Sequence, residues 1–386
     1  MQFTIPHYYR SFRCVAAECS DTCCAGWAIM IDDASMEKYR RQNHTLGEKL
    51  FNGVDWKKGC FKQNDGRCAF LNKTNLCDIY TDAGPSMLCK TCREYPRHTE
   101  EYQGVRELSL SMSCEEAVKL ILGLKEPVRF LTKEDDREET YPEFDFPLFT
   151  KLMVAREEIF SLLQNRSREI PLRVAMILGL GHDLQRRIRA GKLYQTEDLI
   201  NRYRQSGTEE FFRMKKQEYW VSCRERYEIM ENWFTLFNKL EVLSQEWPVY
   251  IGELKTLLFE QGPDHYGKTR EKFHEYLDVE PERKREWNQW LEQLLVYFIY
   301  TYFCGAVYDE QPYVKVKMSV ICTILIEELA QAIYIQNGSS LTFLEFVRLV
   351  HRFSREMEHS DLNLNVLENA FRTEKAYGLK EILKVL

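Results

Sequence analysis

Cysteine is concentrated at the amino-terminal end of this chain of 386 residues. Ten of its thirteen cysteines fall within the first 114 residues. Thiols in such numbers are normally bonded or coordinated, because a free exposed cysteine oxidises and exchanges. Three possibilities exist: disulfide bonds, coordination of zinc, and coordination of iron in an iron–sulfur cluster. The choice among them decides what kind of amino-terminal domain this chain can form.

The sequence of the amino terminus helps to choose among these three possibilities. Residues 1–10 show no basic start followed by an apolar stretch, so no export peptide is predicted. The longest apolar run, from Val320 to Ile335, is interrupted by two glutamates and is too short to span a bilayer. We therefore expect a cytoplasmic protein with no membrane partner, whose thiols glutathione keeps reduced. Disulfides become the weakest reading, and metal or cluster binding is favoured.

Charge and length limit the possible partners. The formal net charge is −6, which argues against a protein that binds the phosphates of nucleic acids. No run of basic residues is long or regular enough to change that expectation. The chain is long enough for two domains and a sizeable core.

Three segments differ in composition and periodicity. Residues 1–124 are rich in cysteine and poor in periodicity, which is typical of a small domain stabilised by its ligands. Residues 125–147 contain three prolines and an acidic run, and are predicted to be a linker. Residues 148–386 show helical spacing of apolar side chains. The predicted fold class is mainly α: a small cysteine-rich domain with a few short strands, packed on an α-helical domain.

Local patterns predict individual elements in the first segment. Residues 27–31 and 108–112 are predicted to be strands, the second because its apolar residues alternate. A helix is predicted to begin at Asp33 or Ser35, where good capping and helix-forming residues follow one another.

Patterns in the helical segment are stronger. Pro171 suits the first turn of a helix, and Thr342 with Glu345 has capping-box spacing. S-adenosylmethionine usually binds a glycine-rich turn after the first strand of a doubly wound sheet, and no such unit is predicted. Gly179 and Gly181 follow an apolar run, but the run has helical spacing, so a helix is the simpler interpretation.

The spacing of the cysteines bears on the choice between zinc and a cluster. A zinc ribbon usually has two Cys-x2-Cys knuckles, whereas this segment has one, at Cys89 and Cys92. Histidine is scarce there, with only His7, His44 and His98. Closely spaced cysteines without histidines favour an iron–sulfur cluster, and zinc stays as the alternative. The predicted ligands are Cys14, Cys19, Cys23, Cys24, Cys68, Cys77, Cys89, Cys92 and Cys114.

The other four cysteines are predicted to fill the core, as buried cysteines often do. Three of them lie in the helical segment. They are Cys60, Cys223, Cys304 and Cys322.

The order of the motifs resembles known families. Cys-x4-Cys-x3-Cys-Cys is followed by Cys-x-Phe-Leu, Cys-x-Ile-Tyr and Cys-Arg-x-Tyr-Pro, as in a family of small bacterial cluster- or zinc-binding proteins. A Tyr-Tyr-x2-Phe-x-Cys motif ends at Cys14, Gly26-Trp27 follows the first motif, and Glu358-His359-Ser360 lies in a helical remainder. In these features the chain is similar to the flagellin lysine-N-methylase family. The motif-bearing part covers roughly the first third of the chain.

This resemblance implies a function. The expected reaction transfers a methyl group from S-adenosylmethionine to the ε-amino groups of lysines on flagellin, in an enzyme that holds an iron–sulfur cluster of the [4Fe–4S] type. The resemblance assigns no catalytic or cofactor-binding residue. The residues by themselves leave two other functions open: a non-catalytic adaptor stapled by zinc, and a redox protein that uses the cluster alone.

Lysine methylation would place two demands on the site. The amine must be neutral, because an ammonium has no lone pair, and aromatic walls would favour a positive sulfonium. The aromatic candidates beside the cysteines are Tyr8, Tyr9, Trp27 and Tyr95, for which core packing is the simpler role. Glu358 and His359 could supply a base, although a solvated helix end is the more usual reading of such a pair.

Overall fold

The structure is a computed structural model that describes residues 1–136 and 144–386. Pro142, within the predicted linker, lies outside these residues. The described chain is mainly helical, with short strands in its amino-terminal part. The predicted fold class is therefore confirmed.

The strands form one larger sheet and two small ladders in the described chain. In chain order they are β1 (Gln2–Pro6), β2 (Val54–Asp55), β3 (Cys60–Phe61), β4 (Gln63–Asn64), β5 (Arg67–Cys68), β6 (Arg97–Tyr102), β7 (Val105–Leu110) and β8 (Phe130–Glu134). The larger sheet has the order β6-β7-β1-β8. Strand β1 runs parallel to β7 and antiparallel to β8, while β6 and β7 form an antiparallel hairpin. The pairs β2–β3 and β4–β5 are antiparallel.

The two predicted strands have different outcomes. The strand predicted at 108–112 is confirmed as part of β7, which ends at Leu110. The strand predicted at 27–31 is wrong, because within the described chain that segment makes one isolated bridge, between Met30 and Cys60. Gly26 has a φ of +83°, and the indole N–H of Trp27 donates to the carbonyl of Cys23 at 2.7 Å. These two features turn the backbone where an extended strand was expected.

Short helices complete the amino-terminal part. They are α1 (Asp33–Arg40), α2 (His44–Gly53), α3 (Asp78–Ala83), α4 (Lys90–Glu94) and α5 (Glu115–Leu122). The predicted start of α1 is confirmed. Asp32 is its N-cap, and its carboxylate accepts a hydrogen bond from the amide of Ser35 at 3.0 Å.

Longer helices build the rest of the described chain. They are α6 (Phe146–Leu163), α7 (Ile170–Arg189), α8 (Thr196–Tyr203), α9 (Ser206–Glu218), α10 (Cys223–Phe234), α11 (Glu246–Phe259), α12 (Gly262–Val279), α13 (Pro281–Tyr302), α14 (Ala306–Asp309), α15 (Pro312–Gln336), α16 (Phe343–Glu358), α17 (Asp361–Thr373) and α18 (Leu379–Lys384). Pro171 lies in the first turn of α7, and Thr342 with Glu345 forms a complete capping box at α16. Gly179 and Gly181 lie inside α7, as the helical spacing predicted.

Helix α15 is the centre of the helical core. It packs against α7, α11, α13, α16 and α17, and its side chains are buried on nearly every face. The run from Val320 to Ile335 was predicted to be too short to span a bilayer, but it lies in a longer helix of 25 residues. Among the described residues it is the one helix long and apolar enough to cross a membrane, and 89% of its most apolar window is buried inside the fold. Core helices that are apolar all round meet the same criteria.

Two hydrophobic cores organise the molecule. The larger one joins the helices to the β6-β7-β1-β8 sheet, and the smaller one lies between residues 29 and 89. A buried ion pair connects the sheet to the helices, because Glu107 of β7 accepts two hydrogen bonds from Arg156 of α6. Strand β8, from the segment predicted as a linker, also joins the sheet, and its Phe130 ring stacks on Tyr300 at 4.5 Å. The cysteine-bearing small core is thus mounted on a sheet that is continuous with the helical core.

Candidate functional site

The nine cysteines predicted as ligands lie in two neighbouring groups around the small core. The inner thiol group consists of Cys24, Cys68, Cys77, Cys89 and Cys92. The outer thiol group consists of Cys14, Cys19, Cys23 and Cys114. Within each group the thiols are close enough to influence one another's pKa. The groups meet where Cys23 and Cys24 are adjacent in the sequence.

Three of these cysteines are N-caps of short helices. Cys77, Cys89 and Cys114 precede α3, α4 and α5 respectively. The backbone amides of the first helical turn therefore point towards each sulfur, and hydrogen bonds from them lower each thiol pKa in part. Helix starts favour negative charge, and a thiolate is the form of cysteine that binds metals.

Hydrogen bonds couple two pairs of thiols. In the inner group the bond from Cys92 lowers the pKa of Cys89, while the same bond raises the pKa of Cys92. Between the groups, a hydrogen bond from Cys23 lowers the pKa of Cys24 to about 6, and the guanidinium of Arg355 also contributes. Cys24 and Cys89 are thus the thiols that ionise first.

Burial and mutual repulsion act against ionisation of the other thiols. Burial raises the pKa of Cys68 to about 12, and neighbouring thiolates of the inner group add to the rise. In the outer group burial raises the pKa of Cys114 to about 11, and that of Cys19 also rises. A bound cation would remove this repulsion, because a thiol that coordinates a metal is deprotonated outright.

The donor set fits a thiophilic metal in its chemistry. All thirteen cysteines are free of disulfides. In residues 1–136 and 144–386, no three histidine, cysteine, aspartate or glutamate side chains stand around one point in a way that could hold a metal. Soft thiolates select zinc and iron–sulfur clusters, so the two thiol groups are the residues that would hold either one.

The cysteines predicted to fill the core have mixed outcomes. Cys304 and Cys322 are buried as expected. Cys223 is exposed at the start of α10, so that expectation was wrong. Cys60 is half-buried in β3, where it pairs with Asp55 of β2.

A cleft of about 710 Å³ lies between the thiol-bearing loop and the helices. We call it the interface cleft. Residues 20–26 and 65–67 form one wall, and α16 with residues 243–250 forms the other. Five acidic residues line it: Asp21, Asp65, Glu115, Glu246 and Glu356. Two of its lining residues, Ser20 and Ala25, are next to Cys19 and Cys24 in the sequence.

Asp21 anchors the thiol-bearing loop to α16. Its carboxylate lies 2.9 Å from Nε2 of His351 and 2.5 Å from Nη1 of Arg355. Burial alone would raise the pKa of Asp21, but the hydrogen bonds from these two residues outweigh it and lower the pKa. Arg355 also donates to the carbonyls of Thr22 and Ala25. One arginine of α16 thus holds the backbone on both sides of Cys23 and Cys24.

Basic side chains follow one face of α16 into the interface cleft. Arg348, His351, Arg352 and Arg355 are spaced i, i+3, i+4 and i+7, which places them on one side of the helix. Arg348 and Arg352 are exposed, and neither has an acidic partner among the described residues. The guanidinium of Arg352 lies 4.8 Å from the centre of the Tyr250 ring. These residues were not predicted from the sequence, although their spacing indicates that they lie on one face of a helix.

Glu356 orders the helical wall of the cleft. Its carboxylate accepts hydrogen bonds from the amides of Ser244 at 2.8 Å and Leu243 at 3.0 Å. Burial raises its pKa, while these amides oppose the rise. On the opposite wall Glu115 accepts a hydrogen bond from Ser20. Both walls are therefore held in place by buried carboxylates.

The end of α16 is buried, which corrects the expectation of a solvated helix end. Glu358 accepts hydrogen bonds from Tyr297 at 2.5 Å and Ser111 at 3.0 Å. His359 stacks on Trp27 at 4.7 Å, and burial lowers its pKa to about 3. Its Nε2 lies 2.8 Å from the hydroxyl of Ser113, the residue before Cys114. Glu358 and His359 therefore join the two parts of the molecule.

The aromatic candidates divide between the core and this junction. Tyr8 is buried in the larger core, and Tyr9 packs against that core, in agreement with the packing role. Trp27 and Tyr95 both contact His359, with ring centres 4.7 Å and 5.9 Å away. None of the four lines the interface cleft.

Comparisons with known proteins follow the same division of the chain. Residues 156–385 match the model of the "FliB lysine N-methylase C-terminal domain". Residues 13–112 match the CxxCxxCC model, described as "Putative zinc- or iron-chelating domain". No solved structure matches the chain significantly.

Curated relatives align with about a third of the chain. The "Flagellar biosynthetic protein FliU" of Salmonella muenchen is 30% identical over 131 residues, which are 31% of this chain and 76% of that protein. The "Lysine-N-methylase" of Salmonella typhimurium is 30% identical over 130 residues, which are 31% of this chain and 32% of that protein. The family model covers more than half of the chain, and on that match the chain belongs to the FliB lysine N-methylase C-terminal domain family.

Proposed function

We propose that this protein is a protein-lysine N-methyltransferase that uses S-adenosylmethionine to methylate ε-amino groups of flagellin. Membership of the lysine N-methylase family and the names of the curated relatives support this proposal. The structural observation that supports the proposal is the interface cleft. It is lined by arginines that have no acidic partner among the described residues, by carboxylates and by aromatic rings, and it lies beside the thiol groups. The reaction would take place in the reducing cytoplasm, where unpaired thiols persist.

The helical wall of the cleft supplies groups that suit the methyl donor. Bound there, S-adenosylmethionine would supply an electrophilic methyl group on its sulfonium. Arg348 and Arg352 would bind its carboxylate, because neither guanidinium is neutralised by a carboxylate of the described chain. The rings of Trp247 and Tyr250 line the same wall and offer faces that attract a positive sulfonium.

The loop-side wall supplies groups that suit a lysine. The acidic lining attracts an ammonium, which must then lose a proton before its nitrogen can attack a methyl group. Asp21 is our candidate for the group that binds this ammonium, because its carboxylate lines the cleft and its side chain is 40% exposed. Nε2 of His351 lies 2.9 Å from that carboxylate and holds it at the cleft wall.

The thiol groups would hold the metal. We propose a [4Fe–4S] cluster, with zinc as the alternative, on ligands drawn from the inner and outer thiol groups. The chemistry of the donors supports this assignment, since thiolates outnumber histidines around the small core. A bound cluster would supply one-electron chemistry or an open iron for a ligand.

Binding and methylation assays test the proposal. We expect the anaerobically purified chain to bind S-adenosylmethionine in calorimetry and to raise the mass of flagellin lysines in steps of one methyl group. In Arg348→Ala and Arg352→Ala the dissociation constant of the donor should rise about tenfold or more, the loss expected for one charge-assisted hydrogen bond. Arg213→Ala, an exposed arginine of α9 outside the cleft, is the matched control.

Specific outcomes would contradict the proposal. Unchanged lysine masses in flagellin, with no donor binding by metal-loaded protein, would remove the methyltransferase assignment. Zinc without iron or sulfide in such a preparation would then favour the stapled adaptor. Unchanged donor affinity in both arginine variants would remove the carboxylate site from α16 while leaving the activity itself in place.

A further inference from the structure

A second cavity, of about 170 Å³, lies within the helical part of the molecule. Helices α7, α15 and α17 form its walls. Four cationic residues line it: Arg186, Arg189, Lys317 and Arg372. No acidic residue of the described chain lines this cavity. We call it the basic cavity.

Lys317 is the buried member of this cationic set. The residue is 5% exposed. Its ammonium donates to the backbone carbonyls of Phe371 and Tyr377, the second at 3.2 Å, and has no carboxylate partner among the described residues. Burial lowers its pKa to about 8, and the charge of Arg189 adds to that effect. Two neutral carbonyls and the ring of Tyr313, whose centre lies 4.8 Å from Nζ, contact this ammonium, and no carboxylate of the described chain pairs with it.

Two further polar atoms at the basic cavity have no partner within the described chain. They are Oε1 of Gln185 and the hydroxyl of Tyr313, both buried. Gln185 is 4% exposed, and its Nε2 donates to the carbonyl of Glu310 at 2.7 Å, so its orientation is set. Buried polar atoms normally have hydrogen-bond partners, and an orphaned group therefore points to a missing ligand or ion.

We propose that the basic cavity binds a small tetrahedral oxyanion of the phosphate class. Arg186, Arg189 and Arg372 would donate charge-assisted hydrogen bonds to its oxygens. The hydroxyl of Tyr313 would donate one more, and Oε1 of Gln185 would accept from a protonated oxygen of the anion. This arrangement satisfies both orphaned atoms and compensates the charge of Lys317.

The basic cavity is much smaller than the interface cleft. Its volume of about 170 Å³ admits a small oxyanion, and the interface cleft is about four times larger. The two cavities share no lining residue. The inference is therefore independent of the proposed methyltransferase activity. An anion held by α7, α15 and α17 would bind the folded chain only, and so would raise its stability.

The test measures anion binding by the full-length protein. Calorimetry and thermal unfolding are performed with inorganic phosphate, sulfate and acetate, each compared with chloride at equal ionic strength. We expect saturable binding of phosphate and a higher unfolding temperature, weaker binding of sulfate, which has no proton to donate to Oε1 of Gln185, and acetate behaving as chloride does. Glycerol 3-phosphate should bind more weakly than inorganic phosphate, because its ester oxygen has no proton for Gln185.

Substitutions of the arginines that line the cavity show where the anion binds. Arg186→Gln and Arg372→Gln change exposed side chains, so the fold should persist, and each should weaken phosphate binding about tenfold or more. Arg213→Gln should leave phosphate binding unchanged. The proposal would be overturned by the absence of saturable phosphate binding, by equal stabilisation with acetate, or by an undiminished phosphate response in the double variant of Arg186 and Arg372.

Discussion

The guanidinium of Arg355 and the carboxylate of Asp21 form an ion pair, with 2.5 Å between Nη1 and Oδ1, that joins α16 to the thiol-bearing loop. The Arg355 side chain is 11% exposed, so water competes little for it. The same guanidinium donates to the carbonyls of Thr22 and Ala25. Arg355 is therefore the side chain through which the helical part positions Cys23 and Cys24.

Replacing Arg355 tests this connection. In Arg355→Met the carboxylate of Asp21 loses one of its two partners, and two backbone carbonyls lose a donor. We expect the free energy of unfolding to fall by about 1–3 kcal/mol, less than for a fully buried pair, because the Asp21 side chain is 40% exposed and water screens it. Urea denaturation measures the change. Arg213→Met, which removes an exposed pair with Glu209, should cost less than about 1 kcal/mol, and an equal loss in both variants would contradict the role of Arg355.

Gly26 is predicted to be intolerant of a side chain. Its φ is +83°, and a Cβ at this position would lie 3.1 Å from Nη2 of Arg355. Gly26→Ala should therefore destabilise the fold by about 1–2 kcal/mol, from backbone strain and displacement of the guanidinium. Gly207→Ala is the matched control, because Gly207 lies in α9 with open space around its Cβ position. That control should be neutral or gain up to about 1 kcal/mol. A neutral Gly26→Ala in chemical denaturation would disprove the constraint.

Metal content should depend on the thiol groups and on no other cysteine. Cys89→Ser and Cys92→Ser remove the hydrogen-bonded pair of the inner thiol group, and each should lower the bound metal by at least half. Cys322→Ser changes a buried thiol of α15 and should leave the metal content unchanged. Elemental analysis and visible absorption of anaerobic preparations provide the measurement. Full metal loading of both inner-group variants would exclude those thiols as ligands.

Acid should destabilise the fold through His274. Its Nε2 is buried without a partner in the described chain, and burial, with Arg270 and Arg226, lowers its pKa from 6.5 to about 4. Because the unfolded chain binds this proton more tightly, folding stability is lost as the pH falls from about 6.5 to about 4. The loss approaches about 3 kcal/mol at most.

A variant isolates this contribution from other titrating groups. His274→Gln removes the proton-binding site, so its unfolding free energy should depend less on pH than that of the unchanged chain across the same interval. Urea denaturation at several pH values compares the two proteins. Parallel curves would show that His274 has the same pKa in the folded and unfolded states.

The sequence predicted best what neighbouring residues determine. The capping box at Thr342 and the start at Pro171 were correct, because caps depend on contacts within one turn. The strand predicted at 27–31 failed because Gly26 and the Trp27 indole turn the backbone there. Apolar alternation indicates that a segment suits a strand. It does not show which hydrogen bonds other groups of the segment make, such as that of the Trp27 indole.

The candidate site was predicted only in part, because it depends on contacts far apart in the chain. Cysteine spacing singled out the thiols. It did not predict that Asp21 would meet His351 across 330 positions. Charged residues spaced along one face of α16 look like an ordinary solvated surface in the sequence. Only the folded chain shows that this face borders a cleft and that Glu358 is half-buried and bonded to Tyr297 and Ser111.

Helix α16 has a consequence for how the two ends of the site work together. It packs along α5, which directly follows the outer-group residue Cys114. Glu358, the last residue of α16, accepts a hydrogen bond from Ser111, and His359 directly after it lies 2.8 Å from the hydroxyl of Ser113. The same helix carries Arg348 and Arg352 into the cleft. Helix α16 is one unbroken helix of 16 residues, so it connects the sulfur end of the site to both guanidiniums. We therefore expect metal-stripped protein to bind a carboxylate ligand more weakly than metal-loaded protein.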